Sequence, residues 1–380
     1  MFRIWKNNPD FPAMAGRASA GRRDSCVEVE ENPDMAAKTV ANIFLIYSPL
    51  HYLAAESVAV HFEPGARNYL FYLKHEFKDL AHPSKWDGVN FLPWPRFYPK
   101  KGFFGGMRRA GDNLRLVGAL CAGATTIRLH TPVIDTEAVN YLINFLRAAF
   151  PGAAFSVRII PDGLLNIRRH PLGRLKRMLQ YLKKLKKVFC PELDYYTFSG
   201  DRVGSDDAIV DRIYLLPRFP HQYDPGKVAE LPALVPPAAG GHEGARVPRA
   251  LVVGQPLVDF KRMTTADVEL VTQGMRRFIG DCGISEIDYK AHPKDSRREL
   301  DSSGYRDLKI TCPLEIHLSR HSYDLVIGVY STALLTAKMV LPESSRVVAY
   351  GMNRMQFRGD AERGDLELSF DKFRVEIVDA

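Results

Sequence analysis

Apolar and polar positions along the chain predict an alternation of short buried strands and amphipathic helices. The first such signal is Ala41–Tyr47 (ANIFLIY), an apolar run of strand length that ends at Ser48–Pro49. Leu50–His61 follows with helical spacing, and a strand, a polar turn and a helix together open a doubly wound α/β domain. Strand-like runs recur at Tyr69–Leu73, Thr126–Leu129 and Ser156–Ile160, with a helix predicted over Thr136–Phe150. Between Leu234 and Pro248 the chain is dense in Pro, Gly and Ala, which predicts a linker. Ala250–Val253 then starts a second set, with a helix over Thr265–Phe278 and strands at Ile287–Lys290, Leu325–Ile327 and Arg346–Tyr350. The expected organisation is a disordered segment over 1–40, a Rossmann-like domain over 41–234, a linker over 235–248, and a second Rossmann-like domain with a C-terminal tail over 249–380.

Composition sharpens this picture only in part. A length of 380 residues exceeds what one hydrophobic core usually supports, in keeping with two domains. No apolar stretch reaches the length needed to span a bilayer. Residues 1–40 mix Arg and Lys with Glu and lack an apolar segment of signal-peptide type, so a cytoplasmic location is expected. Five scattered cysteines (Cys26, Cys121, Cys190, Cys282, Cys312) show no metal-ligand spacing and read as packing residues. The net charge of +8 points to an anionic partner without naming it.

Four short motifs, each at a predicted strand end, carry the candidate chemistry. They are NIFLIYSPLHYLAAE (Asn42–Glu56), IIPDGLLN (Ile159–Asn166), YKAHP (Tyr289–Pro293) and VIGVYSTALL (Val326–Leu335). Glu315 lies between the third and fourth, and Gly254–Gln255–Pro256 opens the second domain. Acid–Gly, His–Pro and Ser–Thr motifs in this order resemble bacterial alpha-2,8-polysialyltransferases and lipooligosaccharide sialyltransferases, over roughly Asn42 to Tyr350. The family pattern often has a second acidic residue before the Asp–Gly pair, where this chain has Pro161. The resemblance implies a GT-B architecture of two Rossmann-like domains with ligands between them. Pattern alone also fits other two-domain α/β proteins.

The chemistry of sugar transfer gives each residue a reason. An acceptor hydroxyl is a poor nucleophile, so a carboxylate is needed as general base, and Asp162 is the candidate. The plainer reading is a turn Asp before Gly. His292, with Pro293 beside it, would give a hydrogen bond or proton to the departing CMP phosphate; otherwise it is a histidine satisfied by backbone. Ser331 and Thr332 would offer hydroxyls and a helix N-terminus to the same phosphate, or serve simply as an N-cap. Gly254 and Gln255 belong with this nucleotide side. Glu315 would take the ribose hydroxyls, as the resemblance implies, or be a surface helix residue. No Asp-x-Asp motif appears near the nucleotide side, Asp206 and Asp207 are adjacent instead, and the families resembled need no metal. No cofactor and no metal are expected.

The run Arg168–Lys187 holds nine cations and no acid: Arg168, Arg169, Arg174, Lys176, Arg177, Lys183, Lys184, Lys186 and Lys187. After Pro171, Leu172, Leu175, Leu179, Leu182 and Leu185 recur at helical spacing and give one apolar face. Such a helix can lie on an anionic membrane, line a groove for an anionic glycan, or be a packed helix with a solvated basic face. The expected partners are a CMP-sugar donor, an acidic glycan or glycolipid acceptor and the anionic inner-membrane surface, not nucleic acid. The leading expectation is an inverting transferase of sialic acid, or another CMP-activated ulosonic acid, acting on capsule, lipooligosaccharide or O-antigen. A UDP-sugar transferase and a non-catalytic binding protein for anionic glycan or lipid are the alternatives.

Overall fold

The computed structural model describes residues 39–74, 83–236, 247–310 and 312–380. The segment expected to be disordered therefore lies outside the described residues up to position 38, as do positions 237–246 of the expected linker. Lys38–Ala380 form one compact unit. Within it the chain builds two mixed α/β halves on two all-parallel sheets, the two Rossmann-like units of a GT-B architecture.

The first half contains β1 (Val40–Ile46), α1 (Pro49–His61), β2 (Arg67–Tyr72), β3 (Gly88–Phe91), α2 (Gly105–Leu120), β4 (Thr126–Thr131), α3 (Glu137–Ala149) and β5 (Ala154–Ile159). It continues with α4 (Arg174–Lys184), α5 (Lys186–Phe189), β6 (Val210–Leu215) and β7 (Val228–Glu230). The second half contains β8 (Arg249–Val253), α6 (Thr265–Asp281), β9 (Glu286–Lys290), β10 (Arg306–Asp307) and α7 (Leu314–Arg320). Its remaining elements are β11 (Leu325–Gly328), α8 (Thr332–Val340), β12 (Arg346–Tyr350), α9 (Asp360–Lys372) and β13 (Glu376–Val378).

The sheet orders are β3-β2-β1-β4-β5-β6-β7 and β10-β9-β8-β11-β12-β13. Each sheet reverses its winding beside its first strand, between β1 and β4 and between β8 and β11. At such a switch point the connecting loops diverge and leave a crevice beyond the strand C-termini. The strands are apolar on both faces because helices cover both sides: Phe44, Leu45 and Ile46 of β1 and Leu251 and Val252 of β8 are fully buried.

Caps set where the helices start. Ser48 accepts from the His51 amide with Pro49 in the first turn of α1, Thr136 caps α3, and Thr264 forms a reciprocal capping box with Asp267 at α6. The segments with weaker signals escaped the hydrophobic pattern. Helix α2 begins at Gly105–Gly106 behind Phe104, with no side-chain cap, and β7 is only three residues long. The described cysteines are all free.

The two halves meet at the turn after β5. Gly163 has φ +64, and a β-carbon on it would overlap the side chain of Thr332 at the start of α8. The next amide, Leu164 N–H, donates to Thr332 Oγ1 at 3.0 Å. The C-terminal helix α9 returns to the same place: Arg168 lies 3.9 Å from Glu362, and Phe373 meets Phe219 edge-on with ring centroids 5.4 Å apart. Gly163→Ala is therefore expected to cost about 1–3 kcal/mol of stability. Adding Thr332→Ala should recover part of that loss, because it removes the overlap but leaves the left-handed backbone. Thermal unfolding of the four variants of the cycle checks this; a Gly163→Ala protein as stable as its parent would contradict it.

Candidate active site

Asp162, His292 and the Gly254–Gln255 and Ser331–Thr332 pairs fall just beyond the C-terminal ends of β5, β9, β8 and β11. Beyond β5, the loop Ile160–Asp162 leads into a 3₁₀ turn over Gly163–Ile167. Asn166 holds that turn from inside, its side-chain oxygen accepting from the Asp162 amide at 2.5 Å. The Asp162 carboxylate is thereby free of capping work and turns to a neighbour from another loop. Its Oδ1 lies 2.7 Å from Nε2 of His51, in the first turn of α1 beyond β1.

The protonation of this pair follows from the other ring nitrogen. The Tyr47 amide donates to His51 Nδ1 at 3.2 Å, so the ring proton sits on Nε2 and is given to Asp162. The His51 side chain is 4% exposed and that of Asp162 is 34% exposed. Both nitrogens of His51 are occupied within the protein. Asp162 Oδ2 has no partner among the described residues. Of the two, only the carboxylate can reach an incoming hydroxyl, while the imidazole holds it in place. His51 lies inside the first sequence motif, three residues after Ser48, but a histidine among apolar helix residues gave no sign of its partner 111 positions away.

Across the crevice, a pocket is lined by Leu164, Gln255, Pro256, Leu257, Phe260, His292, Tyr330, Ser331 and Thr332. His292 stands just beyond β9, its Nδ1 accepting from the Lys294 amide at 3.0 Å. Its proton is thus on Nε2, which has no partner among the described residues. Burial, and after it the charge of Lys294, holds the His292 pKa below its ordinary value. Lys290, also depressed by burial, donates to the Ala291 carbonyl at 3.0 Å. Pro293 is exposed next to His292.

Ser331 is the N-cap of α8, its oxygen accepting from the Ala333 amide at 3.2 Å. Thr332 accepts from Leu164. In both residues the hydroxyl proton remains available, so capping and ligand binding are compatible.

Gln255 and Glu315 are placed differently from the rest. The Gln255 amide spans the switch point from β8 to β11: Oε1 accepts from the Val329 and Tyr330 amides at 3.0 and 2.9 Å, and Nε2 donates to the Tyr330 carbonyl. Its polar atoms are spent on shaping the loop. Gly254 is packed so closely on Tyr289 that a β-carbon would overlap the ring hydroxyl. Glu315 is buried in α7, takes a 3.4 Å hydrogen bond from Thr336 of α8, and does not line the pocket. Burial raises its pKa.

The basic run also differs from a simple cationic face. Lys176 pairs with Asp135 at 2.9 Å, Lys186 with Glu137 at 2.5 Å and Lys187 with Asp194 at 2.9 Å. Arg169 pairs with Asp206, and Arg168 reaches Glu362 in the second half. Arg177 donates to the Leu172 carbonyl, and Lys183 lies over the Tyr195 ring. Arg174 and Lys184 have no ion pair among the described residues. Leu172 is buried, whereas Leu175, Leu179, Leu182 and Leu185 are exposed, so the apolar face of the helix is turned away from the core.

Among the described residues no group of three or more His, Cys, Asp or Glu side chains could hold a metal ion. None of the helices described is long and apolar enough to cross a membrane.

Comparison with known proteins adds a family match over part of the chain. No curated protein matches the chain. Among solved structures, similar folds include the spinosyn rhamnosyltransferase SpnG complexed with thymidine diphosphate, at 12% identity, 89% of this chain, 85% of that chain and a TM-score of 0.46. The glycosyltransferase SnogD from Streptomyces nogalater follows at 14% identity, 90% and 86% coverage and a TM-score of 0.45. A UDP-GlcNAc 2-epimerase from Methanocaldococcus jannaschii is similar at 10% identity, 81% and 83% coverage and a TM-score of 0.42. None of these bears on donor or acceptor. The family model Alpha-2,8-polysialyltransferase (POLYST) matches residues 174–348, a little under half of the chain. The matched region includes His292, Glu315, Ser331 and Thr332 and begins after Asp162. The resemblance carried by the sequence motifs is thus to a family whose model matches the second part of this chain.

Proposed function

We propose that the protein is an inverting, metal-independent transferase that moves sialic acid or a related ulosonic acid from a CMP-sugar to a hydroxyl of a cell-surface glycan. The observations that carry this reading are an Asp162 carboxylate anchored by His51 through one oxygen, the other unpartnered among the described residues, and a His292 that lines a pocket with Ser331 and Thr332, its Nε2 unpartnered among the described residues. In the proposed reaction the acceptor oxygen bonds to the anomeric carbon and its proton passes to Asp162. The bond from that carbon to the CMP phosphate oxygen breaks. Negative charge grows on the phosphate, where His292 Nε2–H and the hydroxyls of Ser331 and Thr332 can meet it. A single displacement with base and leaving group on opposite sides inverts the anomeric centre. A nucleoside monophosphate carries one phosphate, which hydrogen bonds can hold without a cation. The Glu315 carboxyl, buried against Thr336, would reach a ribose only after that contact opened.

Asp162→Asn should lower the transfer rate by about two to four orders of magnitude while CMP affinity, read by calorimetry, is retained. His51→Ala should lower kcat in the same direction through an unanchored carboxylate, again with CMP affinity retained. His292→Ala should weaken both rate and CMP binding, and a chelator should change none of these values. A folded Asp162→Asn protein that no longer binds CMP, or that stays fully active, would make Asp162 a structural turn residue.

The depressed pKa of His292 gives a pH prediction. The free ring is neutral at pH 7, and an anion placed against it favours the protonated form, so binding takes up a proton. CMP affinity should therefore rise as pH falls from about 8 toward the ordinary histidine range. The phosphate itself titrates near there, so the informative quantity is the difference from His292→Gln, whose profile should be flatter. Parallel profiles for the two proteins would remove His292 from the phosphate.

A further inference from the structure

Helix α4 is mounted with its faces reversed. Its one buried residue is Gln180, 5% exposed, whose amide donates to the Phe198 carbonyl at 3.3 Å and accepts from the Phe198 amide at 3.0 Å. Lysine ammonium groups complete the attachment: Lys183 Nζ lies 4.9 Å from the Tyr195 ring centre and, from α5, Lys186 Nζ lies 5.7 Å from that of Tyr141. The polar side of the helix thus grips the protein and the apolar side faces out. A helix folded for water alone does the opposite.

A second segment joins it. Phe103 is 94% exposed, and Phe104 stacks on Phe189 of α5 with ring centres 5.9 Å apart. Val188 and Phe189 are 78% and 68% exposed. Of the 17 exposed large apolar side chains among the described residues, 11 lie in the segments 97–104 and 175–189, so the patch is a concentration and not a scatter.

Charge defines what would cover it. Neither Arg96–Gly111 nor Arg168–Cys190 contains an acidic residue. Lys101, Arg108, Arg109, Arg174 and Lys184 form no ion pair among the described residues. Arg108 also lines a groove between Phe104 and Phe189. Apolar side chains at the tip with unpaired cations around them match a surface that is apolar beneath an anionic layer. We infer that Phe103–Phe104 and the α4–α5 apolar face together form a docking surface for an anionic lipid bilayer, with Phe103, Leu182, Leu185, Val188 and Phe189 entering the interface. The inference stands apart from the donor reading, since it concerns a surface away from the crevice.

Co-sedimentation of the full chain with vesicles tests it without donor or acceptor. The protein should pellet with vesicles of about three parts phosphatidylcholine to one part phosphatidylglycerol, far less with phosphatidylcholine alone, and less as salt is raised. Phe103→Ser combined with Phe189→Ser should lower the partition coefficient about tenfold or more, with an unchanged melting temperature because both side chains are exposed. Phe103→Trp should keep binding and shift its emission to the blue on adding anionic vesicles. The inference is overturned if the parent protein stays in the supernatant or if the double variant pellets equally well. It is also overturned if the parent is a dimer that the same substitutions split, because the patch would then be an interface between copies.

Discussion

The contact between Gly163 and Thr332 is the constraint on which the arrangement of the site depends. There the loop beyond β5 and the start of α8 come too close for a β-carbon, and a backbone amide donates to a hydroxyl across the gap. Because Asp162 immediately precedes Gly163, and Ser331 precedes Thr332, fixing that contact fixes both sides of the crevice at once. Parallel topology does the rest. With all strands of each sheet running the same way, the loops after β1, β5, β8, β9 and β11 emerge at C-terminal ends, where the switch points open.

Two hydrogen-bonded devices keep those loops in place, one in each half. His51 reaches from the first turn of α1 to the loop after β5, and Gln255 reaches from the loop after β8 to the loop after β11. Each spans a switch point, where backbone pairing between adjacent loops is lost and side chains must replace it. Neither presents its polar atoms to a ligand. Both act by making other groups rigid: a carboxylate in the first case, and the Tyr330 loop leading into α8 in the second. Preorganisation of this kind spares the reaction the cost of ordering its catalytic groups.

The strands and the order of the motifs were legible because buried parallel strands are nearly continuous apolar runs, and because acid–Gly, His–Pro and Ser–Thr pairs mark strand ends. What stayed hidden were relations between distant positions. His51 looked like one more residue of an apolar helix, and Gln255 looked like a ligand because it follows a strand. Glu315 carries a charge by sequence but lies buried against Thr336. The leucines after Pro171 have helical spacing that reports a face and not the direction in which it points; Gln180 and the Lys183 ammonium group decided that. Helix α2 was missed because Phe104 stands at the cap position without a side-chain cap and two glycines follow it.

The central claim is that the pocket between Leu164, His292, Tyr330 and Ser331 is built for a cytidine monophosphate. Thermal unfolding of the full chain with CMP, UDP or GDP at matched concentrations tests it most directly, because a ligand that binds only the folded state raises the midpoint by mass action. The account predicts a clear upward shift with CMP, smaller or absent shifts with UDP and GDP, and no dependence on added divalent metal. Stabilisation by UDP or GDP but not by CMP, or only when metal is present, would contradict it.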